Sequence, residues 1–120
     1  MPNLRSRDAY RDRAWDWEFL NDSLPGKIRV SDFDGIVEIH GRFLAIEAKP
    51  AAAGIPTGQK ILLDQLAAQP NWNVLVIYGE PNLPVAMQRW PGPPQSATES
   101  TVQDFVCAWS KWAKRQGERP

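Results

Sequence analysis

Residues 34–49 read Asp-Gly-Ile-Val-Glu-Ile-His-Gly-Arg-Phe-Leu-Ala-Ile-Glu-Ala-Lys, two apolar runs at 36–39 and 43–46 joined by His40-Gly41. A dipeptide ending in glycine between such runs is a two-residue hairpin signal. With His40 and Gly41 as the turn, Ile39 falls opposite Arg42 and the numbers of cross-strand partners add to 81. That register sets Asp34 against Glu47, and Asp32 against Lys49. Side chains alternate along a strand, so Asp34 and Glu47 emerge on one face with Cα atoms roughly 4.5–5.5 Å apart. Like charges placed this way destabilise a hairpin. A divalent cation is the simplest compensation, and the pattern points to a metal site.

The remaining segments say what carries this hairpin. An apolar stripe through Tyr10, Ala14, Trp17, Leu20 and Leu24 predicts a helix over about 6–23, ended by Pro25-Gly26. The first strand is expected over 28–39 and the second over 43–49. Residues 50–57 read as a loop. A second helix follows over 58–69, with Thr57 as N-cap and Leu62, Leu63 and Leu66 facing inward. The nearly unbroken apolar run at 72–78 predicts a strand buried on both faces. A turn over 79–84 leads to a short strand at about 85–90. Residues 91–97 read as a proline-rich linker without helix or strand. The last helix is expected over about 99–116, with Ser100 and Gln103 at capping-box spacing and an apolar face of Val102, Phe105, Val106, Trp109, Trp112 and Ala113. A strand-helix-strand passage from Glu47 to Val74 implies a crossover connection. The expected class is α/β, a small mixed sheet flanked by helices.

At 120 residues the chain is expected to form one domain. Its longest apolar run, 74–78, is far too short to span a bilayer, and the N-terminus lacks the apolar core of a signal peptide. A lone cysteine, Cys107, suits a reducing cytosol, so a cytoplasmic location is expected. Net charge is zero, which gives no overall pull towards nucleic acid. Arginines nevertheless crowd the first residues (Arg5, Arg7, Arg11, Arg13), and Lys111, Lys114, Arg115 and Arg119 crowd the last, with the acidic hairpin between them.

Asp34 and Glu47 supply hard oxygen ligands, suited to Mg2+ or Mn2+ rather than zinc. Period-two alternation puts Lys49 on the face of Glu47, where its ammonium could hold an attacking water and steady charge on a phosphate. The plainer reading is a cross-strand ion pair between Asp32 and Lys49. Gln59 falls on the inward stripe of Leu62, Leu63 and Leu66, in the first turn of a helix whose N-terminus favours anions. An amide there either serves the site or merely caps the helix. His40 is expected at the exposed hairpin tip, and Cys107 in the core, so neither has a catalytic partner. Gly54-Ile-Pro-Thr-Gly58 lacks the Gly-Lys-Ser/Thr ending of a nucleotide-binding loop. Trp109 and Trp112, at helical spacing, read as packing residues.

The run Asp34, twelve residues, Glu47-Ala48-Lys49 resembles the signature of the PD-(D/E)XK nuclease superfamily. It is most similar to small Holliday-junction-resolvase-like and VRR-NUC-like nucleases, including phage-encoded versions. Gly58-Gln59-Lys60 matches the glutamine those branches carry at the next helix. The likeness covers about residues 6–90 and implies a restriction-endonuclease-like core: helix, three-stranded antiparallel meander, helix, strand. It implies that Asp34, Glu47 and the Ala48 carbonyl bind the metal, that Lys49 organises the water, and that Gln59 supports the site. It also implies an acid from the first helix, for which Glu18 is the choice and Asp16 and Asp22 the alternatives. Phe33 stands where many members carry proline, and Asp32 competes with Asp34 if a bulge shifts the register. The implied activity is Mg2+-dependent hydrolysis of DNA, with a homodimer if both strands of a junction are cut. The rival expectation is a non-catalytic nucleic-acid- or protein-binding module on the same scaffold, which the neutral net charge favours.

Overall fold

The computed structural model describes residues 15–51 and 53–117. They fall into two compact units, divided between Asp32 and Phe33. In the first, the only helix among the described residues is α1, Glu18–Asn21. It is a single turn, far shorter than the helix expected over 6–23; residues 6–14 lie outside the described residues. Trp17 precedes it in the left-handed region, at φ 65°, and the Asp16 carboxylate accepts the Glu18 N–H at 3.0 Å. The strand expected over 28–39 does not begin until Gly35. Local side chains take its polar groups instead: Asn21 Oδ1 accepts the Val30 N–H at 2.7 Å, and the Trp17 indole donates to Asp32 Oδ1 at 2.7 Å. Trp15 lies 5.6 and 5.9 Å from the rings of Trp17 and Phe19. Trp15 and Phe19 are both exposed.

The second unit is a five-stranded sheet in simple order: β1 (Gly35–Ile39), β2 (Arg42–Lys49), β3 (Trp72–Glu80), β4 (Leu83–Trp90) and β5 (Pro94–Ser96). His40 and Gly41 both take positive φ, 51° and 81°, as a two-residue turn that follows the strand twist requires. All the β1–β2 partners, from Ile39↔Arg42 to Gly35↔Ile46, keep the register expected from the turn. Helix α2 (Thr57–Ala67) then carries the chain across, and β3 pairs parallel to β2. The sheet is therefore mixed, but β1 and β2 form a two-stranded hairpin rather than the three-stranded meander implied by the family likeness.

The two sheet faces bury separate cores. Ala45, Val74, Val76 and Tyr78 pack under α2 through Leu63. Leu44, Leu75, Met87 and Ala97 pack under α3 (Glu99–Gly117) through Trp109 and Ala113. Leu44, Leu63, Leu75 and Val76 are wholly enclosed, each contributing about 1.5–3 kcal/mol by burial. β3 is buried on both sides at residues 74–76, as its apolar run requires.

Three expectations fail locally. The linker at 91–97 contains β5, antiparallel to β4. Proline is tolerated there because β5 is an edge strand, where a missing N–H costs no ladder bond. Helix α3 is capped by Thr98, whose Oγ1 accepts the Thr101 N–H at 3.3 Å, and not by Ser100. Thr57 lies inside α2, and Pro56 occupies the cap without a side-chain bond. No helix among the described residues is long and apolar enough to cross a membrane.

Candidate functional site

The hairpin delivers Glu47 to the α2 side of the sheet, on the face of Ala45 and Val76. Glu47 is only 4% exposed, the one charged side chain buried among the described residues. Asp34 sits one step beyond the last β1–β2 pair, where the same register continues opposite Glu47. Its Oδ2 accepts the Ala48 N–H at 2.7 Å. Within a strand the N–H and C=O of one residue point to the same edge. The Ala48 carbonyl is therefore aimed to the side from which Asp34 comes.

Lys49 Nζ lies 3.8 Å from Glu47 Oε2, and the lysine side chain is 22% exposed. Within the sheet unit its partner is Glu47; Asp32, in the first unit, accepts from Trp17 of that same unit. From the first turn of α2, Gln59 Nε2 donates to Glu47 Oε2 at 2.5 Å. Its inward position thus reflects a bond to the buried carboxylate rather than helix capping. Donation through Nε2 turns Gln59 Oε1 away, and that oxygen is buried without a hydrogen-bond partner.

These surroundings raise the Glu47 pKa above the usual carboxylate range. Burial is the largest cause and the charge of Asp34 the next, while Lys49, the Asp34 backbone amide and the Gln59 amide pull the other way. On the adjacent strand β3, the Tyr78 hydroxyl donates to Gln88 Oε1 of β4 at 2.6 Å on the same sheet face. Burial raises the Tyr78 pKa, which keeps it a donor. Sequence reasoning missed this Tyr78–Gln88 pair: a tyrosine in an apolar run carries no signal of its hydroxyl's partner.

Asp34 and Lys49 line a groove of about 620 Å3 together with Ile77, Glu80, Asn82 and Glu99. A second concavity, about 690 Å3, lies on the α3 side and is not lined by these carboxylates. Of the expected residues, the sheet unit brings together Asp34, Glu47, Ala48, Lys49 and Gln59. Glu18 is not among them; it opens α1 in the other unit and is exposed. No group of three or more Asp, Glu, His or Cys side chains placed to share a metal occurs among the described residues. The donors that a Mg2+ or Mn2+ ion would find are two carboxylates and the Ala48 carbonyl, all hard oxygens. That donor set fits such an ion in kind. His40 is exposed at the hairpin tip as expected. Cys107, expected in the core, is exposed on α3. No family model matches this chain, and neither a curated protein nor a solved structure matches it.

Proposed function

We propose that this chain is a divalent-metal-dependent nuclease that hydrolyses phosphodiester bonds in DNA, built on a restriction-endonuclease-like core of the PD-(D/E)XK type. The observation that carries the reading is Glu47: a carboxylate buried at 4% exposure, opposite a second carboxylate and beside a lysine. A structural role explains this poorly, since a buried charge costs several kcal/mol, and functional sites are where such costs are retained.

In this reading Asp34, Glu47 and the Ala48 carbonyl hold Mg2+ or Mn2+, with the Gln59 amide supporting Glu47. The bound ion would polarise the phosphate and lower the pKa of a coordinated water. Lys49, half in the groove, orients that water and balances charge on the phosphate. Water attacks phosphorus, the bond to the 3′-oxygen breaks, and the products are a 5′-phosphate and a 3′-hydroxyl. One site cuts one strand, so cleavage of both strands at a junction calls for a homodimer. The proposal places the chain in the cytoplasm of a bacterium or a phage-infected cell.

A non-catalytic binding module is the second reading. It is favoured by the internal partners both carboxylates already have, Ala48 for Asp34 and Gln59 for Glu47. The test is to incubate the protein with labelled branched, duplex and single-stranded DNA, with and without Mg2+. Mg2+-dependent cleavage lost in Glu47→Ala and in Lys49→Ala supports the nuclease. Cleavage indifferent to both substitutions, or none on any substrate, favours the module.

A further inference from the structure

We infer that the groove between α3 and the sheet is a stacking site for unpaired bases of single-stranded nucleic acid. Its volume of about 690 Å3 lies in the range of small-ligand sites. Phe105, Trp109 and Trp112 recur at four and three residues along α3, giving one aromatic wall, and Arg89 and Gln95 face it from the sheet.

The three α3 aromatics are not equivalent. Trp109 is 6% exposed and its indole donates to Asn73 Oδ1 at 2.9 Å, so it is the fixed floor. Trp112 is 37% exposed, though its spacing predicts packing. Phe105 is half-buried. Each of these two accessible rings already has a guanidinium beside it: Arg89 lies 5.3 Å from the Phe105 centroid, and Arg42 lies 5.3 Å from the Trp112 centroid. No carboxylate is among the lining residues.

Charge decides what fits. An apolar partner would bury Arg89 without a counter-charge, which is costly. An acidic peptide would use the arginines and leave the ring faces idle. A nucleotide unit uses both, since its base has a π-face and its phosphate is an anion. The bases of a duplex are already stacked, so the occupant is a single strand. This inference stands apart from hydrolysis: the groove lies on the other side of the sheet from Glu47.

The experiment is fluorescence anisotropy of a labelled oligothymidylate of about 12 nucleotides, within the range of single-strand site sizes, in EDTA so that no cleavage intervenes. Trp112→Ala is expected to weaken binding roughly 5- to 150-fold, the loss typical of one stacked base, while Trp112→Phe keeps most of the affinity. Arg89→Ala is expected to weaken binding and flatten the log–log salt dependence by about 0.7, the share of one phosphate contact on a single strand. Wild-type affinity in both alanine variants, or equal affinity for a hairpin duplex, overturns the inference. So does equal affinity for thymidine monophosphate, which would make the occupant a free nucleotide. Tight binding without any cleavage in Mg2+ keeps this inference and refutes the nuclease.

Discussion

Replacing Glu47 by Gln removes one charge with little change of shape, and its effect on the metal-free protein can be worked from distances. At an effective dielectric of about 20, the 3.8 Å approach of Lys49 is an attraction of ~4 kcal/mol. Asp34, at the roughly 5 Å of opposed strand partners, repels by ~3 kcal/mol. These nearly cancel, so desolvation decides the sign, at several kcal/mol per buried ion. The Gln59 bond weakens from about 1.5–3 to about 0.5–1.5 kcal/mol when its acceptor becomes neutral, which offsets part of the gain. Glu47→Gln should then stabilise the protein at pH 8 in EDTA by on the order of 1–2 kcal/mol, with Tm rising about 4–8 °C for each.

The pH dependence sharpens the test. The Glu47 pKa is raised above 4.5 in the folded state, so the native protein holds that proton more tightly than the unfolded chain. Its ionisation therefore costs stability at neutral and higher pH. The cost disappears as pH falls through the raised value towards 4.5. Calorimetric melts at pH 8 and pH 4 should show a gap between variant and wild type that closes in acid. A variant that melts lower at pH 8, or a gap of equal size at both values, refutes the reasoning.

Adding Mg2+ or Mn2+ at about ten times its dissociation constant should stabilise wild type by ~1.4 kcal/mol, a Tm rise of about 6–11 °C in a melting titration. Asp34→Asn should abolish that rise. Tyr78→Phe strands Gln88 Oε1, whose amide also holds the Gly92 carbonyl at 2.8 Å; urea unfolding should report a loss of ~1 kcal/mol with the metal response intact. Gly79→Ala places a Cβ 2.3 Å from the Leu83 carbonyl oxygen, at φ 152°, and should cost roughly 1–3 kcal/mol or more in the same assay.

What could be read from the chain beforehand follows the range of the forces involved. The hairpin register is fixed by two turn residues with positive φ and by apolar alternation, both local, so the opposition of positions 34 and 47 was legible. Gln59 was visible as a polar residue on an apolar stripe, although its bond to Glu47 is a tertiary fact. The parallel pairing of β2 and β3 followed from the length of the intervening helix. Residues 28–32 misled because Ile28 and Val30 alternate as a strand does, while Asn21 and Trp17 capture that stretch locally. β5 was hidden by Pro94, whose missing donor matters only away from an edge. Trp112 and Cys107 show the limit of periodicity: it finds the apolar side of α3 but not how far across that side the sheet reaches.

Among the described residues β1 has a strand neighbour on one side only, and its pairing with β2 stops at Gly35, one residue after Asp34. The Ala48 amide consequently ends on a side chain rather than on a neighbouring carbonyl. Peeling of that rim would scatter the two carboxylates long before the centre of the sheet lets go. In deuterium the Ala48 proton would act as a gauge of how often the cleft comes apart, and the Leu75 proton of how often the whole molecule does.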